Sequence, residues 1–179
     1  MKDAAASPLS FLAHVGRLPD KGLPVRIDAD ERQRAALATA HGLLAVHSFR
    51  ADLLVKRWKR HGVEVSGTVE ADIVQACVVT LEPLAAQISE PVSALFLPAE
   101  SKLGREGFGA GGEVLLDAEG PDAPELFAGD TIDVGALAEE FFELAIDPYP
   151  RSEGADYAAP DEPDPPASPF AGLAELKKR

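Results

Sequence analysis

The chain has 179 residues, 46% of them hydrophobic, a single cysteine and a formal net charge of −13. Its length and apolar share suit one domain with extensions, and the lone Cys77 excludes an internal disulfide framework or a multi-cysteine zinc site, in keeping with a reducing cytosol. The charge is uneven: residues 1–66 carry 11 Lys+Arg against 7 Asp+Glu, residues 67–166 carry 3 against 22, and residues 167–179 carry 3 against 1.

Such a split points either to two partners of opposite charge or to a well-solvated acidic surface. At the N-terminus, Asp3 near the start and Pro8 and His14 inside the apolar stretch do not make a signal peptide. No run approaches the ~18 apolar residues that span a bilayer. A cytoplasmic protein without a membrane partner is expected. Eight Phe, two Tyr and one Trp are few, so the core must rest on Val, Leu, Ile and Ala.

After an irregular start, residues 18–24 are turn-rich and Val25–Ile27 suits a short strand. Asp28 or Asp30 stands where an N-cap belongs, before a helix over Ala29–His41 that Gly42 ends. Phe49, Ala51, Leu53 and Val55 then alternate with Arg50, Asp52 and Lys56. After a turn at Lys59–Gly62, Val63, Val65, Gly67, Val69, Ala71 and Ile73 alternate with polar residues. Period-two alternation around a glycine-containing turn predicts an antiparallel hairpin. A third strand is expected over Ala86–Leu97, with Pro91 marking an edge position or a bulge.

Residues 100–112 read as a glycine-rich loop, Glu113–Asp117 as a short strand and Asp122–Asp130 as another loop. Asp133 caps a second helix, Val134–Ile146, whose apolar face is read as Leu137, Phe141, Leu144 and Ala145. Pro148 and Pro150 end it. Residues 151–168 have the Pro-rich, acidic composition of a disordered linker. Residues 169–179 read as a short amphipathic tail, with Phe170, Leu173 and Leu176 on one side. The fold class is α+β: an antiparallel sheet, with an open barrel as one form of it, two main helices and that short C-terminal helix. Residues 1–150 form the expected single domain.

Chemistry is sparse. Gly107–Gly112 formally matches GxGxxG, but neither a preceding strand nor a following helix N-terminus is there to hold a pyrophosphate. The four histidines, His14, His41, His47 and His61, lack metal-ligand spacing and suit surface or helix-end positions. Cys77 has no nearby histidine to activate it, and Glu139, Glu140 and Glu143 read as a solvated helix face. No metal, cofactor or active site is expected. The most pointed local feature is a basic strip of Arg50, Lys56, Arg57, Lys59 and Arg60 with Trp58 among them. Cations beside an aromatic suit phosphate contact with base stacking; equally, Lys and Arg guard an edge strand against aggregation.

Two segments carry a resemblance. Val65–Ala71 followed by Gln75-Ala76-Cys77-Val78-Val79-Thr80-Leu81-Glu82-Pro83, and Asp130–Gly135 leading to Glu139-Glu140 and Asp147-Pro148-Tyr149-Pro150-Arg151, resemble the YceD family of large ribosomal RNA subunit accumulation proteins. The Glu31-Arg32 helix and the closing Ser168–Ala171 tail are similar to its alphaproteobacterial version. The resemblance implies a non-enzymatic role in 23S ribosomal RNA accumulation and ribosome assembly. It marks Gln75, Cys77, Thr80, Leu81, Glu82, Pro83, Asp133, Asp147, Pro148, Tyr149, Pro150 and Arg151 as family positions. Some relatives carry Cys-x-x-Cys in the central segment; here only Cys77 is present, with Thr80 three residues on. Joined to the charge split, the resemblance puts large-subunit RNA or a pre-ribosomal particle against the basic half and a basic ribosomal protein or another assembly factor against the acidic half. The alternatives are an acidic chaperone for a ribosomal protein without RNA contact, and a nucleotide-binding enzyme built on the glycine-rich loop 104–112.

Overall fold

Alternation builds the sheet. In the computed structural model, which describes residues 7–59, 61–101 and 124–155, the two alternating runs form β3 (Ala45–Trp58) and β4 (Gly62–Ala76). They pair antiparallel, with Trp58 opposite Gly62 and Phe49 opposite Ala71. Phe49, Ala51, Leu53 and Val55 of β3, and Val63, Val65, Val69, Ala71 and Ile73 of β4, are buried; the residues between them face out or are half-buried. Side chains on one strand point alternately to the two faces, so one face is apolar and the other is wet.

β2 (Leu23–Asp28) pairs with β3, and β5 (Pro83–Pro98) runs the length of β4. β6 (Glu125–Phe127) adds to β5 at Phe96–Pro98, giving the order β2-β3-β4-β5-β6. Two expectations are corrected. The sheet is mixed, because β6 runs parallel to β5, and among the described residues it does not close into a barrel, with β2 and β6 as its outer strands. Residues 122–130, read as a loop, contain β6. A three-residue strand is too short to show a period, and only its partner reveals it. Pro91 lies opposite Thr68 where, among the described residues, β5 has β4 on one side only, the edge position rather than the bulge of the two that the proline indicated.

The apolar face is covered by two helices and the N-terminal segment. α1 (Glu31–Ala40) begins at Asp30, not Asp28. The Asp30 carboxylate accepts from the Gln33 N–H at 2.8 Å while the Gln33 side chain accepts from the Asp30 N–H at 3.0 Å, a reciprocal cap worth about 1 kcal/mol. Gly42, at φ 65°, ends the helix, and the Leu43 N–H returns to the Ala38 carbonyl at 2.9 Å, a left-handed closure that glycine adopts without steric cost.

α2 (Val134–Ala145) buries Val134, Leu137, Ala138 and Phe142, with Phe141 and Ala145 partly buried and Leu144 75% exposed. This corrects the face read from the sequence. With Phe141 and Phe142 adjacent, either can begin a 3.6-residue stripe, and packing selects Phe142. Its ring meets Phe49 of the sheet and His41 at the end of α1, each edge-on at 5.4 Å between centroids.

From residue 7 on, the segment expected to be irregular carries packed and paired residues. Leu9, Ala13 and Leu18 are buried, and β1 (Leu12–His14) pairs antiparallel with β7 (Thr131–Asp133). The expected strand at Glu113–Asp117, the glycine-rich motif Gly107–Gly112, Arg60, the linker beyond residue 155 and the tail 169–179 lie outside the described residues. Among those described, no helix is long and apolar enough to cross a membrane.

Candidate functional site

The strand parity of the basic strip holds, but the fold divides it. Arg50 lies opposite Glu70 on the wet face and its guanidinium reaches Asp28 at 3.6 Å; one row on, Arg26 pairs with Asp52. Hydrogen bonds from Ser48 and Gln87 hold the Asp72 carboxyl below its ordinary range. The result is a mosaic around a shallow cleft of about 380 Å³ that includes Asp28, Arg50, Glu70 and Asp72. β3 lies between β2 and β4, so edge protection does not account for Arg50; beyond Val55, β4 alone pairs with it.

Lys56, Arg57, Trp58 and Lys59 stand apart from this mosaic, at the end of the sheet. There the chain brings up two cations that sequence reading did not connect with them. Arg57 donates to the Gly16 carbonyl at 3.5 Å, which places Arg17 beside it, and Gly22, next to Lys21, lies against the Lys56 side chain. Trp58 packs over Gly62 toward Leu97, with the Lys59 ammonium 4.0 Å from its ring centroid. Arg17, Lys21, Lys56, Arg57 and Lys59 are all exposed, and no carboxylate among the described residues lies within ion-pair distance of them.

At the far end of β4, about 45 Å away at the rise of an extended strand, the two motif segments clasp each other. Cys77 follows β4 directly, and the chain turns through Val78–Thr80 into β5. The Cys77 N–H donates to the Glu82 carbonyl at 2.8 Å and the Leu81 N–H to the Cys77 carbonyl at 2.9 Å. Into this turn come the residues after α2. The Gln75 amide donates to the Asp147 carbonyl at 2.8 Å, the Val78 N–H donates to the Pro150 carbonyl at 2.9 Å, and the Asp147 carboxylate accepts from the Tyr149 N–H at 2.8 Å.

The Cys77 side chain is the pin of the clasp. It is fully buried, and its sulfur accepts from the N–H groups of Thr80 at 3.4 Å and Ser152 at 3.5 Å, with the Ser152 hydroxyl at 3.6 Å. Hydrogen bonds from Thr80, side chain before backbone, and then from Ser152, lower its pKa to about 6. Thr80, three residues on from Cys77, supplies hydrogen bonds to the sulfur. Among the described residues, no three His, Cys, Asp or Glu side chains are grouped to hold a metal ion.

Outside the clasp the surface is apolar and acidic. Leu81 is 76% exposed, Tyr149 73% and Val78 44%. Leu81 holds φ 61°, a left-handed conformation that costs a residue with a Cβ about 1–3 kcal/mol. Glu82, Glu143, Asp147 and Glu153 are exposed nearby in the chain, with Arg151 the cation among them.

α2, which delivers the second half of the clasp, is anchored at its start by Asp133. The carboxylate accepts from the N–H groups of Gly135 at 3.1 Å and Ala136 at 3.0 Å, and also from the Phe11 N–H at 2.8 Å and the Ser10 hydroxyl at 2.6 Å. Burial works against the charged form, but the bonds from Ser10, Ala136, Phe11 and Gly135 outweigh it and hold the carboxyl below its ordinary range. A carboxyl lowered in the folded state adds stability above its unfolded pKa and loses it as pH falls through the folded one. Thermal melts should therefore show Asp133→Asn less stable than the parent at neutral pH. The gap should narrow below about pH 4, and a gap constant with pH would refute this linkage.

Sequence reading missed one buried network. His41 and Glu139 were read as a helix-end residue and part of a solvated face. His41 is at the helix end, but its side chain is only 8% exposed and its Nε2 lies 3.1 Å from Glu139 Oε1; Glu139 is 14% exposed and also receives the Ser7 hydroxyl. The signal lay in the spacing of Glu139 from Gly135 and Phe142 on the inward side of α2, visible once the face is read correctly. His14 pairs with Asp130 at 3.7 Å, and His47 and His61 are exposed.

The described residues thus define an α+β protein with a basic, aromatic end and an acidic, apolar end at opposite limits of one long strand. A family model described as "Large ribosomal RNA subunit accumulation protein YceD" matches residues 65–177, more than half of the chain. The chain belongs to the YceD family, whose name ties it to large-subunit ribosomal RNA and hence to ribosome biogenesis, and which is not a known enzyme family. No curated protein and no solved structure matches it significantly.

Proposed function

We propose that this protein is a non-enzymatic, cytoplasmic factor that supports accumulation of 23S ribosomal RNA by joining pre-ribosomal RNA to a basic ribosomal protein. Family membership carries the reading, and the separation of unlike charges supports it. Lys56, Arg57, Trp58 and Lys59, with Arg60 next in sequence and Arg17 and Lys21 alongside, meet the RNA; the acidic half meets the protein. Arg50, already engaged by Asp28, contributes least. Charge complementarity of this kind speeds encounter and selects partners.

The test is sedimentation of the tagged chain through sucrose gradients, with and without RNase, for the parent and for the combined Lys56→Ala, Arg57→Ala and Lys59→Ala variant. Co-migration with large-subunit precursors that RNase abolishes is the expected result. The triple variant should bind precursor RNA roughly tenfold more weakly or worse, with a salt dependence shallower by about 3 in log–log slope, whereas Arg50→Ala should change little. Protein that stays at the top of every gradient would overturn the reading. Co-migration indifferent to RNase and to the triple variant would favour an acidic chaperone without RNA contact.

A further inference from the structure

We infer that the clasp is a docking site for a basic protein segment carrying a bulky apolar side chain between its lysines and arginines. This deepens the protein-partner half of the proposed function and rests on it for the partner's class. Three observations converge. The first is exposure: Leu81, Tyr149 and Val78 are exposed on two segments bonded directly to each other, and apolar exposure on a hydrogen-bonded base is how interaction sites present themselves. The second is strain. Leu81 sits at φ 61° with three quarters of its surface in water, so the fold bears a backbone cost while leaving the side chain unused. Strained residues of this kind concentrate where they serve a contact.

The third is charge, which selects the occupant. Beside the clasp in the chain, Glu82, Glu143, Asp147 and Glu153 are exposed against Arg151 alone. A polyanion or a second acidic surface would be repelled there, whereas a chain rich in Lys and Arg would be drawn in and held in register. Leu81 and Tyr149 then act as the apolar core of the contact, and Glu82, Glu143 and Glu153 as its polar rim.

The experiment probes an array of overlapping 15-residue peptides tiled across the large-subunit ribosomal proteins, with matched controls in which Lys and Arg are replaced by Ser. The full-length chain is compared with Leu81→Asn and Tyr149→Ser. Asparagine tolerates the left-handed conformation, and Tyr149 contributes its backbone N–H, not its ring, to the clasp, so both variants keep the fold, which melting curves verify. The parent should retain basic tiles that contain an aromatic or aliphatic anchor and lose their Ser controls. Retention should fall at least tenfold in each variant and fall with added salt.

Retention of no tile, or equal retention by the variants, would overturn the inference. So would a parent that self-associates through Leu81 and Tyr149, because a second copy would then occupy the surface. Gradient co-migration without any retained tile would sink this site and spare the assembly role. Retained tiles without co-migration would do the reverse.

Discussion

Truncating Phe142 to alanine should cost about 3–5 kcal/mol, the range for a fully buried aromatic, and lower the melting temperature by roughly 10–20 °C. Phe142 is 0% exposed and joins three elements that sequence places far apart: α2 on which it sits, Phe49 of β3, and His41 at the end of α1. Removing the ring leaves a cavity between sheet and helices that fixed backbones fill only partly. It also uncovers the His41–Glu139 contact, whose groups are costly to bury without good partners. With total stability near 5–15 kcal/mol, the variant should be marginal at 37 °C. Urea unfolding of the parent and of Phe142→Leu, which retains most of the apolar volume, provides the comparison. A loss below about 1 kcal/mol for the alanine variant would mean that α2 is not seated on the sheet as described.

Gly135→Ala should be nearly as damaging, at about 3 kcal/mol, the upper part of the usual range for overpacking, although alanine is the better helix former. A Cβ at Gly135 would run into the Leu9 carbonyl and the Phe11 backbone nitrogen. Neither atom can swing aside: the Phe11 N–H is bonded to Asp133 and the Phe11 carbonyl accepts from the Val134 N–H at 3.0 Å. The N-terminal segment must peel from α2, or α2 must shift and carry Asp147–Ser152 out of the clasp. Melting and protease sensitivity of residues 7–14 measure the first, and reactivity of Cys77 toward a thiol reagent measures the second. If Gly135→Ala is as stable as the parent, the close approach of Leu9 and Phe11 is wrong.

The hairpin was legible because β3 and β4 show a strict two-residue period over long runs, and neither strand depends on distant residues to reveal its inward face. The cap at Asp133 was legible for a similar reason, and Asp30 was one of two candidates for the other: both act on N–H groups two or three residues away. Both motif segments could be recognised as text. Their meeting could not, because the bonds from Gln75 to Asp147, Val78 to Pro150 and Ser152 to Cys77 span more than 70 residues. The basic strip was seen at its correct parity, but not its division. Asp28 claims Arg50 across a strand pair, while Arg17 and Lys21 reach the strip's other end only through folding.

What amino-acid order alone determined is therefore local: strand period, helix caps, turn positions, the gradient of charge along the chain and the motif text. Tertiary structure decided the pairing of three-residue strands, the parallel seat of β6, the choice of Phe142 over Phe141 as the buried ring, and the placing of the Lys56–Lys59 cations and the clasp at opposite ends of β4. Each of these turns on which distant surface an element meets. A periodic signal confined to a few neighbouring residues carries no information about that encounter, since burial and cross-strand bonding are properties of pairs brought together only in the folded chain.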